Sequence, residues 1–433
     1  MPVSTPSESY AFHAKDWQKI RHVLAGERAI KSSGTKYLPK LSDQTYSEYN
    51  SYVERALFFN ASARTIQGLV GALFRKPLRI EVSDQHRDRL EYITFDDRPF
   101  DIFAKEISQE VLSLGRYGVL VDMPRESGAT PYLVGYGAEN IINWRYEARG
   151  GRLKLSLVVL KEMQTHASEK DEFTNVKQQQ YRVLKLNKKG EYEQVVYQEK
   201  ENGKVEEIET IKPKLRGKAF DFIPFVFFGP VSLSAEIERS PILDLINVNL
   251  SHYRSSADLE HGRHFTALPT PYVTAPSSGY EEDLSFKIGP SHVWLLEQGG
   301  SAGMLEFRGA GLTFIENACR EKERMMAVLG ARLLEDQKRG VEAAEAIRLR
   351  QTGESSTLAS ISETVSKGLS RALTYWEYWL GQDSADSPKV FLNKDFYAGQ
   401  MDSASIQSLV AAWQAGAISF DALQNNLSQG EII

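Results

Sequence analysis

Ser240-Pro-Ile-Leu-Asp-Leu-Ile-Asn-Val-Asn-Leu-Ser-His-Tyr-Arg-Ser-Ser-Ala-Asp-Leu-Glu-His-Gly-Arg-His264 opens with the marks of a helix start. Ser240 is placed to cap, Pro241 suits the first helical position and Asp244 lies in the first turn, where an acidic group meets the positive end of the helix dipole. Ile242, Leu245, Ile246 and Leu250 give the helix an apolar beginning, whereas residues 254–264 read as polar on nearly every side. A helix with no apolar face either bridges between partners or is unstable alone. Pro269, Pro271 and Pro276 end it.

On the N-terminal side, residues 131–230 change to a period of two. Leu153, Leu155 and Leu157 alternate with polar residues, a second strand follows at 181–186 and a third at 192–197. Asn187-Lys-Lys-Gly190 joins the last two as a hairpin, and Asn202-Gly203 marks a further turn, so a mostly antiparallel sheet is expected. Earlier still the pattern is helical. Trp17, Ile20, Val23 and Leu24 precede a stop at Gly26, a long helix is expected over 46–75, and another over 102–114 ends at Gly115. A short buried strand at 118–122 follows.

On the C-terminal side, 272–305 reads as a small β-rich segment, and a second helix over 312–329 runs back. Residues 330–340 form a charged loop between glycines. Helical spacing then continues over 341–380, with Leu358, Ile361, Val365, Leu369, Ala372, Trp376 and Leu380 on its stripe. At 1.5 Å per residue this is roughly 60 Å of helix, the length of a beam shared between subunits or of a coiled coil. Gly353 and Gly368 are the expected places for a bend. A short strand at 390–392 and two small helices, 406–414 and 420–427, end the sequence.

Composition narrows the function. The chain has 433 residues, 52 Lys+Arg against 57 Asp+Glu, and a formal charge of −5. A protein that holds nucleic acid by neutralising phosphates needs a basic surface, so tight non-specific DNA binding is disfavoured. A single cysteine, Cys319, excludes an intrachain disulfide and fits a reducing compartment. No signal peptide or membrane span is expected, which implies synthesis in a cytoplasm.

Catalytic motifs are missing: there is no Walker A lysine, no Gly-x-Ser-x-Gly and no complete Gly-x-Gly-x-x-Gly. Gly115-Arg-Tyr-Gly118 imitates a phosphate clamp, but a helix stop followed by a strand start accounts for both glycines. His252, His261 and His264, with Asp258 and Glu260, raise the alternative of a metal-dependent hydrolase. Their spacing fits metal ligation poorly, because His252 lies more than two turns from the others. The two C-terminal helices imitate a helix-turn-helix, yet residues 395–433 contain no Lys or Arg, and a groove-reading helix needs phosphate contacts. No cofactor is expected.

The order of elements, with Glu54-Arg-Ala-Leu-Phe-Phe-Asn60, Leu69-Val-Gly-Ala-Leu-Phe-Arg-Lys-Pro77, Ala138-Glu-Asn-Ile-Ile-Asn-Trp144 and Ser240 through Tyr253-Arg-Ser-Ser-Ala-Asp258 to Pro271, resembles the tailed-bacteriophage portal proteins, in particular a subgroup catalogued as a domain of unknown function. The resemblance implies an α+β, portal-like fold. Residues 1–239 would be a wing, 240–265 a first stem helix, 266–308 a clip, 309–330 a second stem helix, 331–340 a tunnel loop, 341–381 a long wing/crown helix and 382–433 a short crown. It implies a non-enzymatic ring of twelve at the capsid vertex of a virion. Its partners would be the terminase large subunit, head–tail adaptor and tail proteins, the major capsid protein, a scaffold, and double-stranded DNA passing without sequence specificity. Glu335, Asp336, Gln337, Lys338 and Arg339 would face the DNA. Arg254, Asp258, Glu260 and Arg263 would lie at the stem interface between subunits. Twelve copies would sum to about −60, which suits a bore that DNA must slide through. A different head–tail structural protein of the virion is the other reading.

Overall fold

The computed structural model describes residues 2–124, 129–168, 171–200, 203–266, 270–274, 299–305, 310–333, 357–381, 387–396 and 403–414, with 417 and 419. Residues 334–340 of the expected loop, with Glu335, Asp336, Gln337, Lys338 and Arg339, the first half of the long helix, most of the 266–308 segment and the helix at 420–427 fall outside these residues, while Ala331 and Arg332 are helical and not loop. The architecture is α+β. Two units divide the chain: Met1–Ile20, Arg64–Leu243 and Gly330–Ile433 form the first, and Arg21–Ala63 with Asp244–Leu329 the second.

The helices are α1 (Glu8–Ala25), α2 (Glu27–Ser32), α3 (Tyr46–Arg55), α4 (Ala61–Leu73), α5 (Asp84–Arg87), α6 (Phe100–Leu114), α7 (Leu243–Thr266), α8 (Ala310–Arg332), α9 (Thr357–Trp379) and α10 (Ser403–Gln414). The helix expected over 46–75 is two. Ala56 is extended (φ −58°, ψ 136°), and Asn60 accepts from the Ala63 amide at 3.1 Å, starting α4 afresh. Both halves carry an apolar stripe, so periodicity ran through the break. Ser240 also departs from expectation: α7 begins at Leu243, and the Ser240 hydroxyl donates to the Ser113 carbonyl at 2.5 Å instead of capping.

In the first unit, β2 (Tyr117–Asp122) lies between β3 (Tyr132–Gly137) and β11 (Phe225–Phe228). All four residues of β11 and five of the six in β2 are buried, the mark of a strand covered on both faces. The stripe Phe103, Ile107, Val111 and Leu114 of α6 is wholly buried. Gly115 caps α6 in the left-handed region (φ +75°), and a Cβ there would lie 2.9 Å from the Glu238 carbonyl oxygen. A five-stranded antiparallel meander stands beside this layer: β4 (Ile141–Arg149), β5 (Arg152–Ser168), β6 (Asp171–Leu186), β7 (Tyr192–Glu199) and β8 (Val205–Ile211). The Asn187–Gly190 hairpin is as expected, with the Gly190 amide donating to the Asn187 carbonyl at 2.9 Å.

A charged cluster joins the layers. Glu162 on β5 pairs with Arg182 on β6 at 2.7 Å and accepts from the Tyr136 hydroxyl at 2.6 Å. Arg182 donates to Gln194 on β7 at 3.0 Å, and Gln194 donates to Asp122 on β2 at 3.0 Å. Burial holds the Asp122 carboxyl above its ordinary pKa, outweighing the bonds it accepts from the Met123 amide and Gln194.

Of the stripe read for α9, Leu358, Ile361, Val365, Leu369, Ala372 and Trp376 are all buried, whereas Leu380 lies just past the helix end and is half-buried. Their burial within this unit corrects the idea of a beam held by other subunits, at least for the described half of that helix. Gly368 makes no bend. The helix runs through it, and a Cβ would lie 2.2 Å from the Phe228 ring, so glycine is there for close packing on β11. Along the same helix Ser366, Ser370 and Thr374 each donate to the carbonyl four residues back, at 2.6, 2.7 and 2.9 Å. The Ser366 and Ser370 hydroxyls also accept from the Leu392 and Val390 amides at 3.0 and 2.9 Å. These amides flank and belong to β14 (Lys389–Phe391), whose other edge pairs with β1 (Arg79–Glu81). The remaining short ladders are β9 (Lys214–Leu215) with β10 (Lys218–Ala219), and β12 (Thr270–Thr274) with β13 (Ser301–Leu305) in the second unit. Among the described residues no helix is long and apolar enough to cross a membrane.

Candidate functional site

The second unit holds the expected helix pair. From α7 the described chain passes through β12, which pairs antiparallel with β13, and then into α8. The two helices touch closely, since a Cβ on Gly262 would lie 2.4 Å from a Leu312 methyl. Gly262 is thus a place of near contact with α8. Leu312 and Lys322 of α8 meet α7, and they belong to a stripe with Ile315, the buried Cys319 and Met326, and Leu329, spaced by alternating threes and fours as in coiled-coil seams. Lys322 crosses the seam to the Ser255 hydroxyl at 2.5 Å. Burial raises the Cys319 thiol pKa.

The residues 254–264 read as polar all round are not so. Leu245, Ile246, Asn249, Leu250, His252, Tyr253, Ser256, Ala257 and Leu259 are buried, making one continuous face of α7. Small Ser256 and Ala257 admit close neighbours, which a hydropathy pattern misses. Asn249 is the most informative omission. It is fully buried, accepts from the Ser62 amide and hydroxyl at 3.2 and 2.8 Å, and donates to the Phe59 carbonyl at 2.8 Å. Its place in the Leu245, Ile246, Asn249, Tyr253 stripe was the available signal. Asn249→Leu should cost about 1–3 kcal/mol, because the Ser62 donors and Phe59 carbonyl lose their partner inside the protein. Denaturant midpoints of the two proteins, compared at equal slope, test this; an unchanged midpoint would refute it.

The four residues expected at a subunit interface all make contacts within this unit. Arg254 donates to the Tyr37 carbonyl at 2.9 Å. Asp258 accepts from the Tyr52 hydroxyl at 2.5 Å, and burial together with this carboxylate drives the Tyr52 pKa well above its ordinary value. Glu260 pairs with Arg263 at 2.9 Å on the same helix, and Arg263 lies 3.9 Å from Glu316 on α8. The histidines go to separate partners. His252 lies 3.2 Å from Glu323, and His261 lies 3.3 Å from Arg55. His264 stands edge-on to the Phe265 ring. Burial, then Arg55 and His264, lower the His261 pKa. Among the described residues no three His, Cys, Asp or Glu side chains converge as metal ligands would.

Charge on the pair is balanced, with three acidic and two basic side chains on α7, and three and four on α8. Among the described side chains the basic residues of each helix are interspersed with acidic ones. The outward side of α8 is partly apolar: Phe314 is 78% exposed, Val328 50% and Met325 47%.

Residues 241–380, about a third of the chain, match a family described as a domain of unknown function (DUF4055). No curated protein matches the chain. Two solved structures are similar: the neck of a native gene transfer agent (GTA) particle computed with C12 symmetry, and the neck of an empty GTA particle computed with C6 symmetry. The first aligns over 85% of this chain and 89% of its own at 13% identity and a TM-score of 0.43; the second over 93% and 98%, at 14% and 0.42. Likeness at this level establishes neither a shared fold nor a shared activity.

Proposed function

We propose that this chain is a structural subunit of the head–tail junction of a phage-like virion and, more specifically, its portal. Copies close into a ring of twelve at the capsid vertex, through which DNA is packaged, retained and ejected. The observation that carries this reading is the α7–β12/β13–α8 arrangement, a close-packed helix pair with a small β ladder between its members, whose outer side still presents Phe314, Met325 and Val328. Apolar side chains in a row on a helix are normally covered, and a neighbouring copy in a ring would cover them.

The balanced charge of the helices favours a conduit over a binder. A wall that neutralised phosphates would hold DNA in place, and the chain's net charge of −5 works against adhesion. The work of packaging falls to a separate ATPase, the terminase large subunit, docked with head–tail adaptors and tail proteins at the exposed end of the ring. The major capsid protein and a scaffold would hold its other side. No catalytic role, metal or cofactor is assigned to the chain.

Electron microscopy of the purified protein is the direct test: class averages should show twelve-fold rings with an open centre. A chain that remains monomeric at every concentration and ionic condition sinks the proposal. Within that reading, Glu335, Asp336, Gln337, Lys338 and Arg339 line the bore. Replacing Lys338 and Arg339 with alanine should leave rings intact and lower DNA packaging or retention; packaging at the unaltered level would remove these residues from the channel.

A further inference from the structure

Strands β5 and β6 outrun their sheet. The β4 partnership of β5 ends at Leu160, paired with Ile141, and the β7 partnership of β6 begins at Gln180, paired with Gln198. Beyond Gln180, β5 and β6 pair only with each other, from Met163 opposite Gln179 out to Ala167 opposite Asn175. This is a two-stranded ribbon roughly 17 Å long at about 3.3 Å per residue. Such a ribbon is marginally stable alone in water, and both its edges present unpaired main-chain groups.

The two faces of the ribbon differ. Cross-strand pairing places Lys161, Met163, Thr165 and Ala167 with Asn175, Lys177 and Gln179 on one side, and Gln164, His166, Val176 and Gln178 on the other. The first side continues the face on which Ile142, Val159, Tyr181, Val183 and Val195 pack, with Val3 and Tyr10 against them near the root. Farther out Met163 on this side is 54% exposed, and Phe173, in the irregular end of the ribbon, is 86% exposed. Lys161 and Lys177 add two cations to this side, with Glu199 at its root accepting from Gln179 at 2.7 Å. The opposite property stands at the edge of the same sheet. Strand β8, Val-Glu-Glu-Ile-Glu-Thr-Ile, has one free edge, carries Glu206, Glu207 and Glu209, and exposes Ile208 at 47%.

We infer that the ribbon packs along β8 of another copy of this chain, Lys161 and Lys177 meeting the glutamates and Phe173 and Met163 meeting Ile208. The ribbon cannot reach its own β8, because β7 lies between β8 and β6 in one continuous sheet. Donor and acceptor surfaces are different patches, so the contact is head-to-tail, the kind that propagates and closes into a ring. The inference rests on the ring proposed above and names one of its interfaces.

Reversal and swap of charge test it. Glu206→Lys with Glu207→Lys and Glu209→Lys, or Lys161→Glu with Lys177→Glu, should each raise the concentration needed for ring assembly about tenfold or more. Joining both sets in one chain should restore assembly most of the way, since the attraction is re-created with its signs exchanged. In a Cys319→Ser background, Lys177→Cys with Glu207→Cys should give oxidised ladders of linked subunits, a readout independent of the charge variants' stability. Rings that assemble equally well in both reversal variants, with no linked ladder, overturn the ribbon contact and leave the ring reading standing. A wild-type chain that never leaves the monomer overturns the ring reading itself.

Discussion

Arg182→Ala should destabilise the first unit by about 3–5 kcal/mol, the usual consequence of stranding one member of a buried ion pair. Arg182 and Glu162 retain only 21% and 15% side-chain exposure, and removing the guanidinium leaves Glu162 facing the Tyr136 hydroxyl with no counter-charge. It also removes the donor to Gln194, the next link toward Asp122. Because two units need not unfold together, hydrogen exchange at the β5 and β6 amides is the appropriate measurement, and protection there should fall far more than in α7. Equal protection in mutant and wild type would show that the pair does not hold these strands. A double change, Glu162→Leu with Arg182→Met, should recover much of the loss, since an apolar pair of similar volume avoids the desolvation penalty. Asp122 supplies the pH dependence. Its folded pKa is raised, so the native chain holds that proton more tightly than the unfolded chain, and stability falls as pH climbs from the ordinary carboxylate range through the raised value. Asp122→Asn should therefore stabilise the unit above that window and make no difference below it. A gain that persisted unchanged in acid would contradict the assignment.

Trp376→Ala should be comparably damaging, about 3–5 kcal/mol for a large aromatic removed from a closed core. Trp376 is 1% exposed and its indole nitrogen donates to the Pro131 carbonyl at 2.7 Å. The change opens a cavity under α9 and leaves that carbonyl without its donor. Trp376→Phe fills most of the space and should cost less, the remainder being the lost hydrogen bond. Calorimetry of both variants separates the two contributions, and equal losses would mean that the hydrogen bond, which both variants lack, outweighs packing there.

The sequence was most readable where side chains repeat with one period and one purpose. The α9 stripe, the α6 terminus at Gly115 and the Asn187–Gly190 hairpin are of this kind. Legibility failed where one pattern served two structures. The apolar stripe of α3 continued into α4, so the Ala56 break was hidden. It failed again where charge was buried, because nothing in the sequence pattern joins Asp122, Glu162 and Arg182 until the sheets that enclose them are known. Strand β1 is three residues with no apolar alternation, and only its partner β14, some three hundred residues on, makes it a strand. The β5–β6 overhang was missed because its polar run, Gln178-Gln-Gln180, looks like a strand end. For the helix pair, the elements were legible and their contacts were not: Asn249 and Gly262 matter through neighbours distant in sequence.

The row of hydroxyls on α9 has a geometric basis. Four helical residues advance about 6.0 Å and two strand residues about 6.6 Å, so hydroxyls one turn apart fall nearly opposite alternate amides of an extended segment. Ser366 and Ser370 meet Leu392 and Val390 in this way. The helix thus stands in for a missing strand, and the near match of the two rulers holds for only a few residues before they drift apart, which suits a strand as short as Lys389–Phe391. With β1 on one flank and serine oxygens on the other, this sheet margin offers a passing chain no template on which to polymerise.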